Sequence, residues 1–269
     1  MKKQIFFLAN LLIAALPGGR RLVAIFFFCL IYGWISPVRA MNADDILQAV
    51  DQAMAYDSQE MVLRLVNRRG SYEEPPVVIL VAKKGGDRLV AMILAPDSMK
   101  GVTAFRSGAD VWVRIPGKNI EMQQDPLLRG FHGGGIFNNE DLLHLDFHLE
   151  YQARLVREDQ ANWYLELTPK QAWVPYARLG MVVDKEFKLP REVTHYGPGN
   201  VLIKTIRYKQ MQRFADGPLR PSLLESASPL NAGYVSTLRY GDVRSVAVPE
   251  TIFDRSALNK IGDYFMRER

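Results

Sequence analysis

The sequence has very little cysteine. The only one, Cys29, lies inside an apolar run near the N-terminus and lacks the preceding small residues that lipoprotein processing requires. The rest of the chain therefore offers neither a disulfide nor thiol chemistry. The 20 glycines and 15 prolines are too few and too dispersed for a collagen-like or low-complexity chain. With 269 residues, 48% of them apolar, the chain can form a substantial core.

Acidic residues are absent from the first forty positions, which hold five basic ones. Removing those five from the 34 basic residues of the chain leaves 29, which equals the 29 acidic residues. The pI near 9.2 is therefore a property of the N-terminal segment. The remaining chain is close to neutral and lacks the basic excess that is typical of nucleic-acid-binding proteins, so no nucleic-acid partner is expected.

The N-terminal segment has the pattern of a secretory signal. Two apolar runs, residues 5–16 and 22–35, are both shorter than the roughly 18–20 residues of a membrane-spanning helix. Val38 and Ala40 are the small residues that signal peptidase requires before its cleavage site. We expect residues 1–40 to be removed after Ala40, leaving residues 41–269 as one periplasmic domain. Two alternatives stay open: Met1 is a misplaced start, or the segment remains as an anchor.

The remaining chain predicts one helix followed by many strands. Asn42 and Asp45 are spaced to cap a helix that runs to about Met54, and after Tyr56 the apolar period changes to two. Short turns separate the strands, which indicates antiparallel hairpins. The predicted strands are Glu60–Asn67, Val77–Lys83, Arg88–Leu94, Thr103–Arg106, Asp110–Ile115, Asn119–Gln123, His148–Arg157, Asn162–Thr168, Arg178–Asp184, Arg191–Tyr196, Val201–Phe214, Arg220–Ser226 and Tyr234–Val246.

One segment interrupts the strands. Residues 127–137 form a partly apolar, Gly-rich loop, and a short helix is expected after it, capped by Asn138 or Asn139. A loop and an apolar helix inserted into a sheet are typical of a lid. An ordinary connection that covers one end of the sheet is an equally good interpretation.

Catalytic and metal-binding motifs are missing. The triple glycine at residues 133–135 is not followed by the Lys-Ser/Thr of a phosphate-binding loop. His144 and His148 have zinc-like spacing, but the general-base glutamate is missing and the expected helix ends before the second histidine. No serine lies in a G-x-S-x-G motif. We therefore expect a protein without enzymatic activity, cofactor or metal.

Several segments together resemble the LolA-like family of outer-membrane lipoprotein-sorting proteins. Residues 94–106 resemble its "apolar-Ala-Pro…Lys-Gly" stretch, and residues 110–118 its "Leu-Trp-x-Tyr-x-Pro" strand and turn. Residues 139–143 are similar to its "x-Tyr-Glu-Asp-Leu" helix, and residues 177–190 to its "Trp-Val-Asp…Pro" hairpin. Residues 249–253 match its closing "Pro-x-x-x-Phe". The resemblance extends over nearly all of residues 42–261, in the order of the family.

Two aromatic positions of the family pattern differ here, with Asn139 before Glu140 and Val182 in place of tryptophan. The resemblance implies a mainly β (α+β) fold. A strongly curved antiparallel sheet would form an incomplete β-barrel, with helices covering its concave face. The resemblance also implies that acyl chains bind in the space enclosed by the curved sheet.

Apolar residues of the predicted strands and of the interrupting segment are the candidate cavity lining. Methionine and tryptophan are included because both present large apolar surfaces, although core packing is an equally common role for them. Which face of each strand points inward is left open, since a shift of one residue inverts a strand. The candidate lipid-binding residues are Leu63, Leu65, Leu80, Ile93, Phe105, Trp112, Met122, Trp163 and Met181 as walls, with Phe131, Ile136, Leu142 and Leu143 as cover.

The leading hypothesis is a monomeric periplasmic carrier of lipid acyl chains or lipoproteins that works with an inner-membrane exporter. The alternative is a periplasmic sensor or transporter-accessory module that uses the same fold to bind a protein partner.

Overall fold

The structure, a computed structural model, describes residues 41–54, 58–117, 120–124, 135–142, 146–215 and 217–267. The helices are α1 (Ala43–Met54), α2 (Asn139–Leu142), α3 (Phe147–Glu150) and α4 (Ile261–Arg267). The strands are β1 (Ser58–Arg69), β2 (Tyr72–Glu73), β3 (Val77–Lys84), β4 (Arg88–Ala95), β5 (Thr103–Ser107), β6 (Asp110–Ile115), β7 (Ile120–Gln124), β8 (Tyr151–Glu158), β9 (Asn162–Pro169), β10 (Arg178–Asp184), β11 (Pro190–Tyr196), β12 (Leu202–Arg213), β13 (Leu219–Ala227) and β14 (Tyr234–Ser245).

All the strands belong to one antiparallel sheet that does not close into a barrel. Its order is β7-β6-β5-β4-β3-β1-β14-β13-β12-β11-β10-β9-β8, and the short β2 pairs with β1. The two edges, β7 and β8, are therefore joined by the segment that interrupts the strand pattern. The sequence prediction of a mainly β, incomplete barrel of antiparallel hairpins is confirmed.

The alternation of side chains defines two faces. One row of paired residues runs from Tyr208 through Leu224 and Leu238 to Leu65 and Val77. We call the face that carries this row the inner face, because its apolar side chains pack with those of α1 and of residues 135–150. The other face is the outer face.

Helix α1 begins as predicted. The amide N–H of Asp45 donates to Asn42 Oδ1 at 2.8 Å, and the N–H of Asn42 faces Asp45 Oδ2 at 3.4 Å. This reciprocal capping satisfies N–H groups that have no partner within the helix. Ile46, Leu47 and Val50 then bury one side of α1 on the inner face.

The outer face is covered too, but only in part. Residues 246–267, which we call the outer cover, carry Ile252, Phe253 and Phe265 onto the outward side of β3, β4 and β5. The predicted helices were expected on the inner face alone. The difference arises because the outer cover includes α4, which no periodic signal in the strand-rich C-terminal half had indicated.

One predicted strand begins too early. Residues 148–150 were expected in a strand, yet they belong to α3, and β8 starts at Tyr151. The carboxylate of Asp51, on α1, accepts hydrogen bonds from the backbone N–H groups of Phe147 and His148 at 2.9 and 2.8 Å. A tertiary acceptor thus satisfies the first turn of α3, and such a contact leaves no local sequence signal.

Candidate functional site

The candidate site is the inner face together with the segment that crosses it. Residues 135–142 and 146–150, which we call the inner cover, lie between the two edge strands in the chain. Phe137 and Leu142 pack into the apolar cluster of β1, β3 and β4, while Phe147 packs with α1 and β8 to β11. The crossing segment therefore connects the two edge strands in the chain and covers part of the inner face, and its role as a lid stays a prediction.

The first anchor of the inner cover is a second capping pair. The N–H of Asp141 donates to Asn138 Oδ1 at 3.1 Å, and the N–H of Asn138 donates to Asp141 Oδ2 at 2.8 Å. Asp141 also forms an ion pair with Lys204 of β12, and both side chains are at most 5% exposed. Asn138 donates through Nδ2 to the hydroxyl of Tyr176 at 2.8 Å. One aspartate therefore shapes the short α2 and fixes it to the sheet.

Two further ion pairs anchor the other end. Lys83 Nζ of β3 lies 2.6 Å from Asp146 Oδ1, and Arg106 Nη2 of β5 lies 2.6 Å from Glu150 Oε1. The Arg106–Glu150 pair is almost completely buried, at 0% and 1% exposure. Removing one partner of such a pair leaves an uncompensated buried charge, whereas the intact pair adds little net stability. The three pairs therefore specify where the cover lies more than they strengthen the fold.

Asp51 joins α1 to the inner cover. Besides the two backbone N–H groups, its Oδ2 lies 2.9 Å from His148 Nδ1. Burial raises the pKa of the Asp51 carboxyl to about 6, and the hydrogen bonds from His148 and Phe147 oppose that rise. Asp51 is thus a buried acid that titrates close to neutral pH where helix and cover meet.

Two glycines allow the cover to approach the sheet closely. A Cβ on Gly135 would lie 2.1 Å from Asn67 Oδ1, and Gly135 has a φ of +88°. A Cβ on Gly86, in the β3–β4 turn, would lie 2.4 Å from Asp146 Oδ2. Only glycine fits these contacts, so the sequence itself specifies the close approach at both ends of the cover.

A cavity of about 120 Å³ lies beneath the inner cover. Ligand pockets typically measure roughly 300–1,000 Å³, so the closed cavity is too small for a long acyl chain. Burial raises the pKa of two of its tyrosines, Tyr208 and Tyr240. The lining combines aliphatic, aromatic and charged side chains, and includes Met61, Leu63, Val81, Leu89, Phe137, Leu142, Ile206 and Leu224 beside Asp51, Lys83, Asp141, Asp146, Glu150, His195 and Arg220.

The predicted lining residues are divided between the two faces. Those on the inner face are Leu63, Leu65, Ile93, Met122, Trp163 and Met181, where Met122 is placed by its pairing with Val113. Ile136 and Leu142 are buried in the inner cover. Of all these, Leu63 and Leu142 line the cavity. Phe131 and Leu143 lie outside the described residues, and so does the predicted signal segment 1–40.

Three predicted residues, Leu80, Phe105 and Trp112, lie on the outer face instead. They pack beneath the outer cover, and the guanidinium carbon of Arg255 lies 3.6 Å from the centre of the Trp112 ring. Because β3 and β4 are covered on both faces, they are apolar at nearly every position. Their sequences therefore show no alternation of apolar and polar residues that would indicate which side chains point inward. Val182 is one of the two positions that depart from the family pattern. It pairs with Tyr164 and Glu192 and also faces outward.

The polar anchors were missed by sequence reasoning. Lys204 and Arg106 occupy inward positions, where apolar side chains are expected, and a charge at such a position is the one signal that the sequence offers. Their partners lie 63 and 44 residues away along the chain. No local pattern connects residues at that separation.

The fold is LolA-like. The chain is similar to a LolA-superfamily protein from Nitrosomonas europaea, with a TM-score of 0.72, 26% identity, and coverage of 81% of this chain and 100% of that one. An outer-membrane lipoprotein-sorting domain from Vibrio parahaemolyticus has a TM-score of 0.70 at 16% identity, covering 80% and 97% of the two chains. A DUF1329 family protein from Desulfovibrio piger has a TM-score of 0.70 at 20% identity, with the same coverages.

A family model described as "Uncharacterized protein" matches residues 85–260 of the chain. The chain belongs to that family. No curated protein matches the sequence. Within the described residues, no helix is both long and apolar enough to cross a membrane.

Proposed function

We propose that the protein is a non-enzymatic carrier that binds lipid acyl chains, free or attached to a lipoprotein, between the inner face and the inner cover. The observation that carries this proposal is an apolar sheet face covered by a segment that both apolar contacts and three ion pairs hold in place. The LolA-like fold and the lipoprotein-sorting domain among its structural neighbours support the cargo class.

The inner cover has to move for cargo to enter. The closed cavity of about 120 Å³ is below the size of typical ligand pockets. Burying an acyl chain of about 14 methylenes at about 0.8 kcal/mol each contributes roughly 11 kcal/mol before any opposing term. Displacing the cover separates three ion pairs, but their charged groups regain hydration as they separate. Displacing the cover also exposes Phe137, Leu142 and Phe147, and the burial of cargo is the favourable contribution that offsets this exposure.

The cellular setting is part of the proposal. Residues 1–40 would direct export, residues 41–269 would act in the periplasm as a monomer, and an inner-membrane exporter would load the cargo for transfer toward the outer membrane. Native mass spectrometry of protein from the periplasm, followed by solvent extraction, tests the setting and the cargo together. Discrete added masses that extract as acyl lipids support the carrier.

A matched pair of variants tests the site. Leu142 is buried and lines the cavity, whereas Leu149 lies in the same cover and is 41% exposed. Leu142→Glu places a carboxylate where the acyl chain would lie, and we expect binding of a dansyl-labelled fatty acid to fall by about tenfold or more. Leu149→Glu should bind like the unmodified protein. Equal binding by both variants would show that acyl chains do not occupy this cavity.

A second candidate function is a sensor or transporter-accessory module that grips a protein partner. The small closed cavity and its charged lining favour it over a purely lipid role. Protein that stays at its sequence mass after incubation with lipid vesicles, and that co-purifies with one stoichiometric membrane protein, would support this candidate instead.

A further inference from the structure

The outer face is open to solvent beside the outer cover, on strands β12, β13, β14 and β1. Two neighbouring rows of paired residues cross these four strands. One row consists of Lys209, Leu223, Arg239 and Arg64, and the other of Arg207, Glu225, Thr237 and Val66. Eight outward positions therefore hold four basic side chains and one carboxylate. We call Arg64, Arg207, Lys209 and Arg239 the basic face.

The charges of the basic face are only partly compensated. Lys209 Nζ lies 2.7 Å from Glu225 Oε1, and Arg207 Nε lies 3.1 Å from Glu192 Oε2 on β11. Arg64 and Arg239 are exposed, stand directly opposite each other, and have no carboxylate partner among the described residues. Like charges at opposed positions of a sheet destabilise it. Arg239 donates to Gln210 Oε1 at 2.8 Å, a neutral acceptor that does not compensate its charge. Two opposed arginines are therefore unfavourable for the fold alone, and an anion bound from outside would offset their repulsion.

We propose that the basic face docks on the anionic phospholipid headgroups of a bilayer. Arginine forks bind phosphate oxygens in a bidentate manner, and four cations in two adjacent rows can reach several headgroups at once. A protein partner is less well matched, because protein interfaces gather aromatic and apolar anchors at their centre. The two rows contain no aromatic residue, and Leu223 and Val66 are their only large apolar side chains.

This docking goes beyond the proposed function and does not depend on the cargo. It uses the face opposite the inner cover, so the cover remains free to open while the protein is held at the membrane. The attraction is electrostatic and unaccompanied by an apolar anchor, so it weakens as salt screens the charges.

The test is flotation of the full chain with vesicles of phosphatidylcholine alone, or of phosphatidylcholine with phosphatidylglycerol, at low and high salt. We expect binding only with phosphatidylglycerol, and loss of that binding at high salt. The variant Arg64→Gln/Arg239→Gln should reduce vesicle affinity by about tenfold or more. Its unfolding free energy should be unchanged or higher, because the opposed charges are gone.

The matched control is Lys100→Gln/Lys260→Gln, which removes the same charge from exposed positions outside the basic face. It should bind vesicles like the unmodified protein, and equal loss in both variants would overturn the proposal. Absence of binding to anionic vesicles, with binding of polyglutamate that depends on Arg64 and Arg239, would assign the face to an acidic protein and overturn it too. Retained fatty-acid binding in the arginine variant separates this result from a failure of the carrier function.

Discussion

At the residue scale, Asp51 couples the stability of the molecule to pH where α1 meets the inner cover. Its pKa is raised to about 6, from an ordinary value of 3.8, chiefly by burial. The folded protein therefore holds this proton more tightly than the unfolded chain does. The resulting stabilisation is fully present below pH 3.8 and is lost as the pH rises through about 6.

The variant Asp51→Asn cannot ionise. Its single amide oxygen can accept from only one of the N–H groups of Phe147 and His148, which donate to different oxygens of the aspartate, so the variant also loses a pH-independent amount of stability. From about pH 4 to about pH 7, the unmodified protein should lose up to about 3 kcal/mol of unfolding free energy relative to the variant. Urea unfolding across this range measures the difference. Asp263→Asn, on the exposed side of α4, is the control and should run parallel to the unmodified protein. A constant difference between protein and variant would mean that Asp51 does not titrate there.

The same scale shows why sequence reasoning identified the inward-facing residues only in part. Leu63 and Leu65 lie on β1, whose inward apolar positions alternate with Arg64 and Val66, and the inner face could be identified. Leu80 lies in a run that is apolar on both sides, because the outer cover packs behind it. Alternation indicates the inward face only where the other face meets solvent, and on β4, where both faces are buried, the assignment of Ile93 had no such guide.

At the element scale, the inner cover is held against the sheet by close contact at Gly135. In Gly135→Ala, the Cβ would lie 2.1 Å from Asn67 Oδ1, and the φ of +88° disfavours any side chain. We expect the cover to shift off the sheet and the unfolding free energy to fall by about 2–4 kcal/mol. Hydrogen exchange of residues 136–142 should accelerate, and fatty-acid binding should become faster.

The control is Gly199→Ala, at a φ of +69° with nothing within 4 Å of the added Cβ. This variant has the same kind of backbone strain but no contact like that with Asn67. Its unfolding free energy should therefore fall by only about 1 kcal/mol, and hydrogen exchange in the inner cover should be unchanged. If the two variants behave alike, backbone strain alone accounts for the effect and Asn67 does not position the cover.

The elements themselves were more predictable than their contacts. The capping pairs of Asn42 with Asp45 and of Asn138 with Asp141 are local, three residues apart. The first pair was expected from the sequence, and Asn138 was one of the two caps expected for the second helix. Helix α3 and the outer cover depend on distant partners, such as Asp51 for Phe147 and Thr103 for the carbonyl of Leu258. Local chemistry therefore fixes where elements start, and packing decides what lies over which face.

At the scale of the whole molecule, one sheet carries two covers that are attached by different forces. The outer cover buries Ile252, Leu258, Ile261 and Phe265 almost completely, each at most 6% exposed. Opening it would expose that apolar surface to water, at about 25 cal/mol per Å². The inner cover also buries Phe137, Leu142 and Phe147, but three ion pairs contribute to its attachment, and their groups regain hydration when they separate. The inner cover should therefore open locally, and the outer cover only when the molecule unfolds.

Hydrogen exchange followed by mass spectrometry at increasing urea measures this difference. At low urea concentrations, the exchange rate of amides in the inner cover should depend little on the urea concentration, because a local opening exposes little surface. Amides of α4 should exchange with the full urea dependence of global unfolding. Saturating fatty acid should slow exchange in the inner cover and, through mass action, also slow the global process. A full urea dependence in the inner cover would mean that it opens only when the sheet unfolds, and cargo would then have to enter by another route.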